Sequence, residues 1–243
     1  MRCCVLVNRV LRALLRRPFS IVGHRGAAGL APENTIKALE KAIEVGADLA
    51  EFDVQVTADG VPVVVHDENL ERLTGRSINV REIRIHELRD IRVQGEPIPT
   101  LEELLAKCDA RIPLLIEVKH PEDTGRVIDV IRGIGGLEWC SIISFWDEAL
   151  RTARSLEPRI VTGLIYAKPP GRIIEARRLG CRIVLPHYRL ATIRANALAH
   201  RLGLIVVAWT VNDVDTALRL VKSGVDAIAT DYPDKLTGLR RGL

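Results

Sequence analysis

Residues 49–66 read LAEFDVQVTADGVPVVVH. They hold two apolar runs, 49–56 and 61–66, on either side of Asp59-Gly60. An Asp-Gly pair between such runs signals a tight hairpin, and a tight hairpin joins only antiparallel strands. The second run is therefore expected to fold back along the first.

Val- and Ile-rich runs recur along the rest of the chain and alternate with helical patterns, as in βα units around a parallel sheet. Besides the run at 49–56, the candidate strands are residues 20–23, 114–118, 141–144, 160–166, 182–186, 204–210 and 227–230. These eight strands predict an α/β fold, a (β/α)8 TIM barrel with a hairpin after its second strand. The alternative is an open doubly wound sheet, but no G-x-G-x-x-G turn follows the first strand.

Length and charge limit the possible domain organisation and the possible partners. The chain has 243 residues, 47% hydrophobic and 27% charged, which suits a single barrel. We predict a short basic and apolar N-terminal extension at residues 1–19 and a barrel domain at residues 20–243. The formal net charge is +4, but the first 20 residues hold five arginines and no acidic residue, so the remainder carries −1. A nearly neutral barrel argues against binding of nucleic acid.

The sequence gives no sign of a membrane span or a secretion signal. No run approaches the roughly 18 apolar residues of a span, and arginines interrupt the apolar residues near the N-terminus. Five cysteines without C-x-x-C spacing favour a reducing compartment, so we expect a cytoplasmic protein. Residues 1–18 are expected either to lie as a basic amphipathic helix on an anionic membrane surface, or to pack under the barrel bottom or stay disordered. The oligomeric state is not indicated.

Three carboxylates are expected to point into the barrel. Glu51 and Asp53 alternate along the second strand and share a face, and Glu117 lies on the strand at 114–118. Burial of three like charges is costly unless a cation compensates them. Because oxygen ligands suit hard ions, we predict that Glu51, Asp53 and Glu117 hold Mg²⁺ or Ca²⁺.

Two histidines and two cationic side chains stand at the same predicted rim. His24 and Arg25 follow the first strand, Lys119 follows the strand at 114–118, and His66 ends the hairpin. Two histidines can supply an acid and a base near neutral pH, and a metal ion beside two cations suits a phosphate. This combination predicts cleavage of a phosphodiester.

The hairpin also gives an expectation for the position of His66. If Asp59 and Gly60 are the two loop residues, positions 58 and 61 pair and His66 lies directly opposite Asp53. Opposed residues point to the same side of a sheet, so His66 would stand beside Asp53. A bulge would shift the register by one residue and turn His66 to the other face.

At these residues the sequence resembles the glycerophosphodiester phosphodiesterase family. The match runs in the family's order from residue 21 to residue 233. It passes through GHRGA at 23–27, APENT at 31–35, EFDVQVT at 51–57, DGVPVVVHD at 59–67, IPTLEE at 98–103, IEVK at 116–119, SF at 144–145, WTVN at 209–212 and GVDAIATDYP at 224–233. Residues 1–19 have no counterpart in this pattern.

The resemblance implies a barrel enzyme that hydrolyses small-molecule glycerophosphodiesters to sn-glycerol 3-phosphate and an alcohol with a divalent cation. By position it implies Glu51, Asp53 and Glu117 as metal ligands, His24 and His66 as the acid–base pair, Arg25 and Lys119 as phosphate contacts, and Trp209 as an aromatic residue beside the substrate. Trp209 could equally be a core residue. Two other functions stay open: lysophospholipase D or phospholipase C-like activity on lysophospholipids, and a non-catalytic barrel that binds a phosphate ligand.

Overall fold

Eight parallel strands close into a barrel in the computed structural model, which describes residues 8–242. Each strand pairs with the next along the chain, and the first pairs with both the second and the eighth. The strands are Ser20–Gly23, Leu49–Val56, Leu114–Val118, Cys140–Ser144, Val161–Tyr166, Ile183–Pro186, Ile205–Ala208 and Ala227–Thr230. The predicted TIM barrel is confirmed, and closure of the sheet excludes the open alternative.

Eight helices, one after each barrel strand, cover the outside of the barrel. They are Ile36–Glu44, Leu101–Cys108, Thr124–Gly133, Asp147–Leu156, Ile173–Arg178, Ile193–Arg201, Val214–Lys222 and Pro233–Arg241. Short 3-10 helices occur at Pro121–Asp123, Gly136–Glu138 and Tyr188–Leu190. Side chains that cap the helices explain several of their starts. Thr100 and Glu103 form a capping box, and Asp213 accepts a hydrogen bond from Thr216 N.

Alternation along the second strand separates two apolar cores. Phe52 and Val54 face outward and belong to the cluster between barrel and helices. Leu49 points inward and packs with Val22 and other residues that fill the lower part of the barrel. Glu51 and Asp53 follow on the side of Leu49, so acidic groups stand above an apolar floor.

The hairpin after the second strand has a three-residue loop. Its return strand, Pro62–Val64, places Pro62 opposite Val56, and Thr57 N donates to Val61 O at 3.1 Å. Gly60 ends the loop in the left-handed region with φ +85°, a conformation that glycine adopts without strain. The predicted register is therefore wrong by one residue. Val65, whose N donates to Asp53 O at 3.0 Å, takes the place predicted for His66.

The segment that follows the hairpin forms a small layer beside the C-terminal rim of the barrel. It contains the helices Glu71–Thr74 and Ile85–Leu88, the 3-10 helix Val80–Glu82, and a ribbon of Arg92–Val93 with Glu96–Pro97. Side chains from this layer and from the return strand share a separate apolar core, which includes Val63, Leu70, Val80, Leu88 and Ile98.

Helix Arg9–Leu14 lies under the bottom of the barrel. Val10 and Leu14 are fully buried and pack with Val22 and Leu49 from the barrel interior. Packing under the barrel was one of the arrangements predicted for residues 1–18; residues 1–7 lie outside the described residues. None of the helices within residues 8–242 is long and apolar enough to cross a membrane.

Buried Asp48 forms hydrogen bonds with three segments at this lower end of the barrel. Its Oδ1 accepts a hydrogen bond from Arg16 Nη1 at 2.5 Å, and its Oδ2 accepts from Ile21 N at 2.9 Å and from Arg240 Nη1. The Asp48 side chain is 2% exposed and that of Arg240 12%. One carboxylate thus joins the N-terminal segment, the first barrel strand and the last helix.

Replacement of Asp48 by alanine is expected to lower the free energy of unfolding by about 3 kcal/mol, because Arg240 stays largely buried without its partner. Chemical denaturation measures this loss. Asp129→Ala is the control, since Asp129 pairs with Arg132 at the surface and its loss is expected to cost less than about 0.5 kcal/mol. Equal losses in the two variants would refute the role given to Asp48.

Candidate active site

A cavity of about 150 Å³ opens at the C-terminal ends of the barrel strands. Its floor is apolar and includes Val22, Leu115 and Ile143. All eight site residues predicted from the sequence line it: His24, Arg25, Glu51, Asp53, His66, Glu117, Lys119 and Trp209. Residues that are up to 185 positions apart in the chain therefore meet in one place.

Glu51, Asp53 and Glu117 form a buried acidic cluster in this cavity. One carboxylate oxygen of each lies within 4.8 Å of the other two, and Asp53 lies beside Glu117 on the neighbouring strand. Glu51 Oε1 is buried and has no hydrogen-bond partner among residues 8–242. Buried polar atoms are usually satisfied, and a bare carboxylate oxygen in an all-oxygen cluster suits a divalent cation. These residues fit the predicted metal site.

Burial and mutual repulsion shift the pKa values in the cluster. Burial, together with the charge of Asp53, raises the pKa of Glu51 to about 8. Burial also raises the pKa of Glu117. Burial acts in the same direction on Asp53, but the charge of Lys119 outweighs it and holds the pKa of Asp53 below its usual range. Simultaneous ionisation of all three carboxylates is therefore unfavourable unless a further positive charge is present.

Arg25 and Lys119 bring positive charge to either side of Asp53. Lys119 Nζ lies 2.6 Å from Asp53 Oδ1 and 2.6 Å from Glu117 Oε1. Arg25 Nε lies 3.4 Å from Asp53 Oδ2 and, among the described residues, makes no hydrogen bond although it is buried. Burial lowers the pKa of Lys119, but the charges of Asp53 and Glu117 raise it by more than burial lowers it. The ammonium group therefore stays charged. Arg25 Nε is thus a donor available to an anion, and Lys119 adds positive charge to the same cavity.

Each histidine in the cavity has a carboxylate on its Nδ1 atom. His24 Nδ1 lies 2.6 Å from Asp231 Oδ1, and His66 Nδ1 lies 2.6 Å from Asp67 Oδ1. A carboxylate in this position fixes the ring and its tautomer and leaves Nε2 free for chemistry. On His24 this atom is 3.9 Å from Glu51 Oε2, beside the acidic cluster.

The two rings differ in their tendency to hold a proton. Burial lowers the pKa of His24, but the hydrogen bond to Asp231 and the charge of Glu51 more than offset it and raise the pKa. Burial also lowers the pKa of His66, and the neighbouring Lys119 lowers it further. Pairs of groups whose surroundings separate their pKa values are a feature of acid–base sites.

His66 reaches the cavity although its register was predicted incorrectly. The return strand ends at Val64, so residues 65 and 66 no longer follow the alternation of a strand. His66 O accepts a hydrogen bond from Gln55 Nε2 at 3.0 Å, which holds the departing chain against the second strand. The one-residue shift therefore does not turn the His66 ring away from Asp53.

Arg72, from the layer after the hairpin, links the surroundings of His66 and Arg25. Its Nε donates to Asp67 Oδ2 at 2.6 Å, and its Nη2 donates to Glu33 Oε1 at 2.6 Å. Glu33 Oε1 also accepts from Arg25 Nη1 at 2.7 Å. A continuous chain of charged groups therefore runs from His66 to Arg25.

Several residues of the site were given no role from the sequence, among them Arg72, Asp231 and Asn34. Asn34 donates to Asp53 Oδ2 at 2.9 Å and accepts from Asp53 N at 3.1 Å, so it fixes one of the carboxylates. Asp231 directly follows the eighth barrel strand, and that position at the strand end was a usable signal. Nothing local relates Arg72 to Glu33, which is 39 residues away.

Trp209 forms part of a fixed aromatic wall. Its ring meets those of Phe145 and His187 edge to face at 5.8 Å and 5.6 Å, and its Nε1 donates to Leu185 O at 2.8 Å. Since Trp209 and Phe145 also line the cavity, they offer apolar surface to a bound carbon skeleton.

The charges of the cavity are sorted in a way that suits a phosphate ester. The acidic cluster suits a cation, the side chains of Arg25 and Lys119 suit an anion, and two ionisable histidine rings line the same cavity. At the C-terminal rim of a (β/α)8 barrel, where enzymes of this fold place their active sites, this arrangement defines a hydrolase of phosphoric esters.

Similarity to known proteins narrows this class to a family. Residues 24–235 match the model of the glycerophosphoryl diester phosphodiesterase family. The chain belongs to this family of phosphoric diester hydrolases, which confirms the resemblance found in the sequence.

Individual relatives match over nearly their whole length. The Bacillus subtilis (strain 168) protein YhdW is 36% identical over 230 residues, which cover 88% of this chain and 95% of YhdW. A glycerophosphodiester phosphodiesterase of Caldanaerobacter subterraneus subsp. tengcongensis is 31% identical over 241 residues, covering 91% of this chain and 97% of that protein. The structure of an Oleispira antarctica phosphodiesterase in complex with the product sn-glycerol-3-phosphate superposes with a TM-score of 0.83 at 28% identity, covering 90% of this chain and 95% of that one.

Proposed function

We propose that this protein hydrolyses glycerophosphodiesters to sn-glycerol 3-phosphate and an alcohol, with a divalent cation held by Glu51, Asp53 and Glu117. The observation that carries the proposal is the meeting of these three carboxylates with the cationic donors of Arg25 and Lys119 in one cavity of a chain from this family. The product named in the Oleispira antarctica structure supports the substrate class.

The unpartnered Glu51 Oε1 and the all-oxygen donor set support Mg²⁺ or Ca²⁺ as the cation. When bound, the cation would polarise the phosphoryl oxygens and make an attacking hydroxyl more acidic. Arg25 and Lys119 would bind the charged oxygens of the phosphate and stabilise the negative charge that builds up in the transition state. Trp209 would contact the carbon skeleton of the substrate.

His24 and His66 would carry the two protons of the reaction. A new P–O bond forms as the attacking hydroxyl, that of a water molecule, loses its proton, and the bond to the leaving alcohol breaks as that oxygen gains one. One ring accepts the first proton through Nε2 and the other donates the second. Asp231 and Asp67 support this exchange because they hold the Nδ1 side of each ring.

Arg72 is expected to act as a positioning residue in this reaction. Arg72→Ala should lower kcat about tenfold, because Asp67 and Glu33 lose the group that joins them and the His66 ring loses support. Arg72→Lys should restore only part of the rate, since one ammonium group cannot bridge two carboxylates as the guanidinium fork does. Steady-state kinetics measure both. Arg76→Ala, an exposed neighbour, is the control, and an Arg72→Ala variant as active as this control would exclude the role.

Hydrolysis of glycerophosphocholine and of lysophosphatidylcholine, measured side by side, tests the substrate class. We expect a higher kcat/KM for glycerophosphocholine, with glycerol 3-phosphate and choline as products. A higher kcat/KM for lysophosphatidylcholine would assign the site to lysophospholipids. Tight binding of glycerophosphocholine without any product over hours would instead identify a binding protein.

A further inference from the structure

Several arginines lie at the end of the barrel opposite the cavity. There, helix Arg9–Leu14 turns Val10 and Leu14 into the barrel and leaves its arginines outside. We call this surface the basal face, and define it as the exposed side chains of residues 9–18 together with Arg111, Arg182 and Arg241.

Two depressions in the basal face are lined by guanidinium groups. One, of about 600 Å³, is lined by Arg9, Arg12, Arg16 and Arg111. The other, of about 410 Å³, is lined by Arg16, Arg17, Arg240 and Arg241. Among the described residues that line them, Asp48 is the single carboxylate, and it is buried and already bonded to Arg16 and Arg240. The depressions therefore present a large excess of positive charge.

An apolar side chain is exposed among these arginines. Leu15 is 48% exposed. Together with Leu11, Ile205 and Val221, it lines a third depression of about 610 Å³. A nucleic-acid backbone offers nothing against which Leu15 could be buried, whereas the interface of an anionic bilayer accepts arginines and an apolar side chain side by side.

We propose that the basal face docks on an anionic bilayer surface, with its guanidinium groups at the lipid phosphates and Leu15 in the interface. Guanidinium groups suit this partner because their planar fork binds phosphate oxygens in pairs. Val10 and Leu14 take no part, since both are buried in the barrel. In this orientation the cavity, at the other end of the barrel, faces the aqueous phase and stays open to soluble substrates.

Sedimentation of the full chain with lipid vesicles tests docking independently of activity. Vesicles of phosphatidylcholine with about 30% phosphatidylserine are compared with pure phosphatidylcholine at low salt. The variant Arg12→Gln/Arg17→Gln/Arg241→Gln removes three charges from the basal face. Each loss is expected to lower the partition coefficient about fivefold, which gives roughly a hundredfold in all.

The matched control is Arg76→Gln/Arg151→Gln/Arg194→Gln, which removes three exposed arginines from the layer after the hairpin and from the outer helices, and changes the net charge equally. Point variants are preferable to deletion of the extension, because deletion would also remove Val10 and Leu14 from the barrel core. Both triple variants are expected to hydrolyse glycerophosphocholine at the wild-type rate, which shows that they are folded.

Selective binding of the wild-type chain and of the control to the anionic vesicles, with loss in the basal variant, would support docking. Failure of the wild-type chain to sediment with anionic vesicles would overturn it, as would equal losses in the two triple variants. Preferential binding of a DNA duplex over these vesicles would also overturn it and assign the basal face to nucleic acid.

Discussion

Replacement of His24 or His66 by alanine is expected to lower kcat by about 10²- to 10⁴-fold, the usual contribution of a general acid or base. Each ring lines the cavity with a carboxylate on Nδ1, so loss of either leaves one of the two proton transfers without its partner. KM is expected to change much less, because Arg25 and Lys119 still bind the phosphate. Steady-state kinetics with glycerophosphocholine at saturating divalent cation measure both constants.

The matched control for the histidine variants is His86→Ala. His86 is exposed on helix Ile85–Leu88, outside the cavity, and its loss is expected to leave kcat unchanged. Full activity of both His24→Ala and His66→Ala at saturating cation would be incompatible with the proposed acid–base pair.

Replacement of Glu51 by glutamine is expected to lower kcat/KM by at least about 100-fold and to abolish the effect of a divalent cation on stability. A cation at about 100 times its Kd should stabilise the wild-type protein by about 2.7 kcal/mol, because it binds the folded chain alone. The amide keeps the shape of Glu51 but removes a charged ligand. Thermal unfolding with and without Mg²⁺ or Ca²⁺ measures the difference.

Without a cation, Glu51→Gln is expected to be at least as stable as the wild-type protein, since it relieves repulsion in the buried cluster. The pKa of Glu51 is raised from 4.5 to about 8. The folded chain therefore binds this proton more tightly than the unfolded chain, and the contribution of Glu51 to stability falls as the pH rises through that window. Glu40→Gln, at an exposed site, is the control. An equal cation-dependent rise in Tm in wild type and Glu51→Gln would show that Glu51 is no ligand.

The barrel could be predicted because the signals that define it are local. Each strand is an apolar run, and the alternation of Leu49, Glu51 and Asp53 already separates the inner side from the outer one. Because the active sites of barrel enzymes lie at the C-terminal ends of the strands, His24 and Lys119 could then be assigned to the same site. Both inferences needed only neighbouring residues and a general property of the fold.

The register of the hairpin could not be predicted, because Asp59-Gly60 is compatible with a two-residue loop and with a three-residue loop that ends in a left-handed glycine. The energy difference between such loops depends on contacts made elsewhere. One of these is the hydrogen bond from Ile85 N to Asp59 Oδ1, which comes from the layer after the hairpin.

Contacts between residues that are far apart in the chain could not be predicted either. Asp231 lies 207 residues from His24 in the chain, and only the closed barrel brings the two strand ends together. The position of residues 9–14 could not be predicted for a different reason: an amphipathic helix has the same sequence pattern whether its apolar side meets a barrel or a bilayer. Its position depends on the apolar opening beneath Val22 and Leu49.

The most direct test of the proposed activity is ³¹P NMR of glycerophosphocholine incubated with the protein. With Mg²⁺ or Ca²⁺ present, we expect the diester signal to be replaced by that of sn-glycerol 3-phosphate. Addition of EDTA should stop the conversion, and an excess of the cation should restore it. Formation of phosphocholine in place of glycerol 3-phosphate, or hydrolysis that continues unchanged in EDTA, would contradict cation-dependent release of sn-glycerol 3-phosphate by this site.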